Sequence, residues 1–146
     1  MRIITGLLLI VASFFIYANE PKVNEDLNTV HALSPKIYDV KGMGEWQEGS
    51  RKGQVRLVIT RTAKQDSVFI QWVQWGKSGP QEILYTTHVK EIKDAGRFKV
   101  TFIRREMVPN QEPRMVLGLE NKYDKSMARA HIWLTEVGHY RCEVKS

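Results

Sequence analysis

The stretch Gln54–Trp75, QVRLVITRTAKQDSVFIQWVQW, holds two apolar runs separated by Thr62–Asp66. In the first run Val55, Leu57 and Ile59 alternate with Arg56 and Thr60. That period of two lays one set of side chains on a buried sheet face. The second run is apolar in both registers, with Val68, Ile70 and Trp72 in one and Phe69, Val73 and Trp75 in the other. A strand in the middle of a sheet, covered on both sides, tolerates such a pattern. The stretch predicts a hairpin at the heart of a sheet, and it carries no catalytic or ligand-binding signature.

Working outward, every neighbouring segment reads as strand. Ile37, Tyr38 and Val40 begin one, bent at Gly42-Met43-Gly44 before Glu45-Trp46, and Glu48–Gly53 is a charged turn. Beyond Lys77–Pro80, Ile83, Tyr85, Thr87 and Val89 alternate with Leu84, Thr86 and His88, and Lys93–Gly96 turns the chain back. Phe98, Val100 and Phe102 then alternate with Lys99, Thr101 and Ile103; Val108–Pro113 is a loop; Met115, Leu117 and Leu119 form the next apolar face. After the polar turn Glu120–Ser126, one strand buries Ala128, Ala130, Ile132 and Leu134 and the last carries Tyr140, Cys142 and Val144. About eight short strands with turn-sized connections argue an all-β antiparallel sandwich or closed barrel in up-and-down order. An outer-membrane barrel is disfavoured, because the strands read as shorter than the 9–11 residues a crossing takes and charges such as Lys99 and Arg129 interrupt a lipid-facing band. The one predicted helix covers residues 22–33, KVNEDLNTVHAL, with Asn24 as N-cap, Val23, Leu27 and Val30 at helical spacing and Ser34-Pro35 as its stop. A flexible leader is the alternative.

The chain opens on Met1-Arg2, an uncharged apolar run Ile3–Tyr17, and Ala18 ahead of Asn19-Glu20-Pro21. This is the three-part pattern of a secretory signal, with cleavage expected after Ala18. An uncleaved anchor is the competing reading, since Ile16 is larger than an ideal site prefers. The expected organisation is a signal peptide over 1–18, a leader or short helix over 19–35 and a single β-domain over 36–146, exported to the periplasm or secreted. Removing Met1–Ala18 takes one base and no acid from 22 Lys and Arg and 16 Asp and Glu, which leaves net +5 on 128 residues. Cys142 is the only cysteine, so neither an internal disulfide nor a cysteine metal clip holds the fold, and a hydrophobic core must.

The candidate contact residues are Trp46, Trp72, Trp75, Trp133, Arg104 and Arg105. Indoles offer rigid, amphipathic contact area for a partner, and core packing is their ordinary alternative. Trp72 and Trp75 point to opposite faces of a regular strand, so if one is inside the other is the contact residue. Basic residues are dispersed, clustered only at Arg51-Lys52 and Arg104-Arg105, with Arg56, Lys99 and Arg129 single. They suit an acidic protein or an anionic polymer, or simple solubility; no nucleic-acid motif accompanies them. His31, His88, His131 and His139 have no metal-ligand spacing, although His131 and Trp133 share a strand face. No catalytic residue, metal site or cofactor is predicted: there is no Gly-x-Ser-x-Gly elbow, no phosphate-binding glycine loop, and Cys142 sits in an apolar register as a buried thiol. The leading expectation is a non-catalytic exported β-domain that binds another envelope or secreted protein. The alternative is a carrier of a small apolar ligand, a sugar or a cell-wall fragment, lined by Trp46, Trp72 and Trp133. A histidine enzyme built on His88 or His131 is the third.

Overall fold

The computed structural model describes residues 32–107 and 109–146. The segment expected to be a signal peptide and the helix expected over 22–33 fall outside them, apart from Ala32 and Leu33, which lie in a turn and a bend. Eight strands follow: β1 Ile37–Glu48, β2 Arg51–Arg61, β3 Asp66–Gly76, β4 Gly79–His88, β5 Phe98–Glu106, β6 Arg114–Asn121, β7 Met127–Leu134 and β8 Tyr140–Lys145. They form two antiparallel four-stranded sheets, β1-β2-β3-β4 and β5-β6-β7-β8, each in chain order. The fold is an all-β sandwich, and the Gln54–Trp75 stretch supplies the two interior strands of the first sheet.

Burial follows the period of two. Val55, Leu57 and Ile59 of β2 and Val68, Ile70 and Trp72 of β3 lie in one core with Val100, Met115, Leu117, Leu119, Ala130 and Ile132 of the second sheet. Val73 is also buried but stands apart from that core, on the outward face of the first sheet. The strands are longer than the sequence suggested, with 12, 11, 11, 10 and 9 residues in β1 to β5. Five strands thus reach the length of a crossing, while β6, β7 and β8, with 8, 8 and 6 residues, do not; the apolar interior and outward charges such as Arg129 argue further against a membrane barrel, being its reverse.

Two features departed from the sequence pattern. Lys90–Ala95 forms a short helix, α1, where a strand end and a turn were expected. Its one buried residue, Ile92, joins the core with Val89, and a single apolar position is too little for a helical period to register. In β4 a bulge opposite Trp72 and Val73 brings Leu84 onto the core and leaves Ile83 and Tyr85 exposed. Gly53 is required by close approach: a Cβ there would stand 1.9 Å from the Val73 carbonyl oxygen and 2.8 Å from Trp46 Nε1. The missing side chain lets the Trp46 indole N–H donate to that carbonyl at 3.2 Å.

The sheets share no ladder, and one buried charge joins them. The Asp66 side chain, 0% exposed, accepts from Arg61 Nη2 at 2.9 Å and from the Val100 backbone N–H at 2.9 Å, with Lys122 Nζ 3.6 Å away. Arg61 Nη2 also donates to the Val100 carbonyl at 3.2 Å. The pair thus satisfies both polar groups that Val100, on the edge strand β5, presents away from β6. The Tyr38 ring covers the Arg61 guanidinium at 3.3 Å. Asp66→Ala should cost about 3–5 kcal/mol, since it strands Arg61 and leaves a buried N–H unpaired. Asp66→Asn, which retains one acceptor, should cost about 1–3 kcal/mol. Urea unfolding measures both, and equal losses in the two variants would show that the charge, and not the bond to Val100, matters.

Candidate functional site

The candidate residues separate by face. Trp72 is fully buried in the core and Trp46 closes it beside Gly53. Together they border a shallow recess of about 250 Å³ shared with Glu45, Val55 and Leu134–Val137. Trp133 lies on the other side of the second sheet, outside the core cluster, so the three indoles expected to line one cavity do not meet. Trp75 is half-buried at the β3–β4 turn, against Lys77–Pro80. Arg104 and Arg105 also part. A bulge after Phe102 sets Arg104 opposite Val116, facing outward, and Arg105 opposite Met115, where its guanidinium reaches Gly44.

What the structure does bring together is on the outward face of the β5-β6-β7-β8 sheet. Its cross-strand rows are read from the register. One row is Thr101, Gly118, Arg129 and Lys145; the next contains Val116, His131 and Glu143; the next contains Arg114, Trp133 and Arg141. Val116 and Trp133 are only 1% and 7% exposed although they face away from the core. Trp133 is covered by Arg141, whose guanidinium lies 4.3 Å from the indole, and by Arg114 at 5.8 Å. The bulged Ile103 leans over Gly118, its Cδ1 3.3 Å from where a Cβ would sit. Ile103 and Met127 are 40% and 64% exposed. These residues enclose an open groove of about 590 Å³, lined by Ile103, Gly118, Met127, Arg129, His131 and Lys145 among others.

The electrostatics are lopsided. Glu106 is bound by Arg114 at 2.5 Å and also by Arg104, and these hydrogen bonds, Arg114's foremost, hold its carboxyl below the usual range. Lys145 pairs with Glu143 at 3.0 Å and lowers that carboxyl in the same way. Arg129 makes no ion pair among the described residues and stands directly opposite Lys145. Like charges so placed repel. Beside them His131 has a buried Nδ1 with no hydrogen-bond partner, and its ring tilts on Trp133 at 5.9 Å.

No protein family, curated protein or solved structure matches this chain. The chemistry must be read from the groove itself. Among the described residues no group of three or more His, Cys, Asp or Glu side chains converges to hold a metal ion. His88 and His131, the two histidines weighed for catalysis, lie on different sheets: His88 pairs with Phe69 across β3 and β4 and stacks on its ring at 4.7 Å. Cys142 packs against the core, and burial, ahead of Glu91 and Glu143, pushes its thiol up to about 12. Sequence reasoning named Trp133 and Arg104 on this face but not Ile103, Met127 or Lys145, whose adjacency depends on register across three strand pairs.

Two outcomes follow from the buried groups. The Cys142 thiol should react with a disulfide reagent at pH 8 at least about 100-fold more slowly in the native protein than in urea, because thiolate is the reacting form. Comparable rates would mean that β8 opens readily. Both imidazoles sit below the usual 6.5, His88 through burial and then Lys93, His131 through burial and then Arg114 and Lys145. The unfolded chain therefore takes up these protons first. The stability they contribute is present above about pH 6.5 and is lost as pH falls through it toward the folded-state values. The melting temperature should drop between pH 7.5 and 5.5, less steeply in the double variant H88Q/H131Q; an unchanged slope would move the effect to other groups.

Proposed function

We propose that this chain is a non-catalytic exported β-domain that binds another envelope or secreted protein through the outward face of its second sheet. The observation that carries this reading is the groove over Gly118. Apolar side chains gather there on a face that packs against nothing in the described chain, and cations outnumber acids around them. Lys99, Arg104, Arg114, Arg129, Arg141 and Lys145 stand against Glu106, Glu120 and Glu143 on that face. Apolar contact rimmed by charge is the anatomy of a protein interface, in which the rim steers approach and the centre supplies affinity. The carrier reading has less support: Trp72 and its neighbours fill the core, and the recess beside Trp46 is small for a lipid. Export rests on the leader-like residues 1–18 alone.

A photoreactive amino acid placed at Met127, in protein produced in its own host, should crosslink to one discrete acidic protein. The same group at Val40, on the outward face of the other sheet, should not. The charge-reversed pair R129E/K145E should abolish the Met127 adduct. Equal labelling from both positions, or an adduct indifferent to charge reversal, would sink the proposal.

A further inference from the structure

Resting on the reading of this face as a protein-binding surface, the geometry points to a specific kind of segment that it takes. We infer that the partner presents an extended stretch with two acidic side chains four residues apart and an apolar side chain midway, seated along β7 and β8.

The spacing comes from the strand itself. Arg129 and Trp133 are four residues apart on β7, with Lys145 opposite the first and Arg141 opposite the second. At about 3.3 Å per residue the two cationic rows are roughly 13 Å apart. An extended segment laid beside them has the same rise, so its side chains at i, i+2 and i+4 share one face and meet the rows in phase. A helix rises only about 1.5 Å per residue, so it would carry the two acids about eight or nine residues apart in sequence, a spacing that a seven-residue peptide does not contain.

Each row has the chemistry for its part. At one end Arg129 has no ion pair among the described residues, and its cross-strand neighbours Gly118 and Lys145 supply no acid, so an incoming carboxylate makes a charge-assisted bond that the sheet leaves open. Glu143 draws Lys145 toward the middle row at 3.0 Å, which leaves Arg129 the principal ligand. At the other end the Arg141 guanidinium lies over the Trp133 ring, 4.3 Å from its centre. A cation held by an aromatic ring spends no carboxylate on that contact, so its N–H groups remain for an incoming one. Its nearest acid, Glu112, is 3.9 Å away, at the limit of an ion pair. Arg114 is already committed to Glu106. Between the ends the middle row presents Val116 and His131, with Glu143 at its β8 end turned to Lys145 and the exposed Ile103 at the side over Gly118, so the central apolar side chain would rest over β6 and β7 against Ile103.

The test uses the full chain and fluorescein-labelled heptapeptides. One carries Glu at its second and sixth residues, Leu at the fourth and Thr elsewhere. A second of the same composition has the acids three apart, and a third replaces both Glu by Gln. Anisotropy at low salt should give binding at least about tenfold tighter for the four-spaced peptide than for either control. Arg129→Gln should weaken it about tenfold, with the melting temperature unchanged, and Lys52→Gln on β2 should leave it alone. Equal affinity for both spacings, or for polyglutamate as for the four-spaced peptide, would show a diffuse anionic surface and overturn the inference. Absence of binding by any peptide at 1 mM, with the Met127 adduct still formed, would overturn it while the protein-binding reading stands. Loss of that adduct as well would remove both.

Discussion

The buried carboxylate of Asp66 is the constraint on which the sandwich turns. Two sheets that face each other across a greasy core take their angle from their own twist, but apolar contact is not directional and leaves their offset free. Asp66 supplies direction. Its bonds, with those of Arg61, occupy the N–H and C=O of Val100, so the hairpin end of one sheet is tied to a single residue on the edge of the other. Burying a carboxylate costs several kcal/mol, and a full set of donors offsets that cost more than it adds stability. What the pair contributes is position, and it also closes an edge strand to outside pairing. Lys122, which donates to the Thr62 carbonyl at 3.0 Å, ties the β6–β7 turn to the same hairpin.

Position on the inside has a consequence on the outside. With Val100 fixed facing inward, alternation along β5 sends Lys99 and Thr101 outward, and the bulge after Phe102 then breaks the alternation. Ile103 falls over Gly118, Arg104 joins the outward face and Arg105 turns toward Gly44. One irregular residue therefore decides which of two neighbouring arginines faces outward, since unbroken alternation would send Arg104 in and Arg105 out. It also places a large apolar side chain at the lip of the groove. The far end of the sheet is held differently: the Tyr140 hydroxyl lies 2.8 Å from Glu91 and 3.1 Å from the His88 carbonyl, joining β8 to the start of α1.

How much of this could be read in the chain depended on whether a feature is local. The alternation in Val55–Ile59, Phe98–Phe102 and Ala128–Leu134 is local, and it foretold strands and their buried faces. The short helix was missed because only Ile92 marks its buried side. Strand lengths were underestimated because charged strand ends such as Arg51-Lys52 read as turn when they are paired in β2, whereas the bend expected at Gly42–Gly44 is present within β1. Of the six contact candidates only Trp133 and Arg104 lie on the face of the groove. The indoles misled because a tryptophan in an apolar register fits a core and an interface equally well. Arg129 and Lys145 are unremarkable surface charges in the sequence, sixteen positions apart, and become a pair only through the β7–β8 register.

The two outward faces show why register matters more than composition. The first sheet also carries an apolar row, Val40, Val58, Phe69 and His88, and an outward arginine beside it. There Arg56 donates to Gln71 at 2.8 Å, and Gln71 in turn to Thr86 at 3.1 Å, so the cation is spent within a ladder that the sheet completes by itself. On the second sheet the corresponding cross-strand neighbours of Arg129 are a glycine and a lysine. Neither can accept a hydrogen bond through its side chain, and one repels. An arginine whose neighbours satisfy it stabilises its own sheet and presents little to a visitor. An arginine whose cross-strand neighbours offer no acceptor keeps its donors and its field for a group from outside, which is why two faces built from similar residues differ in what they can bind.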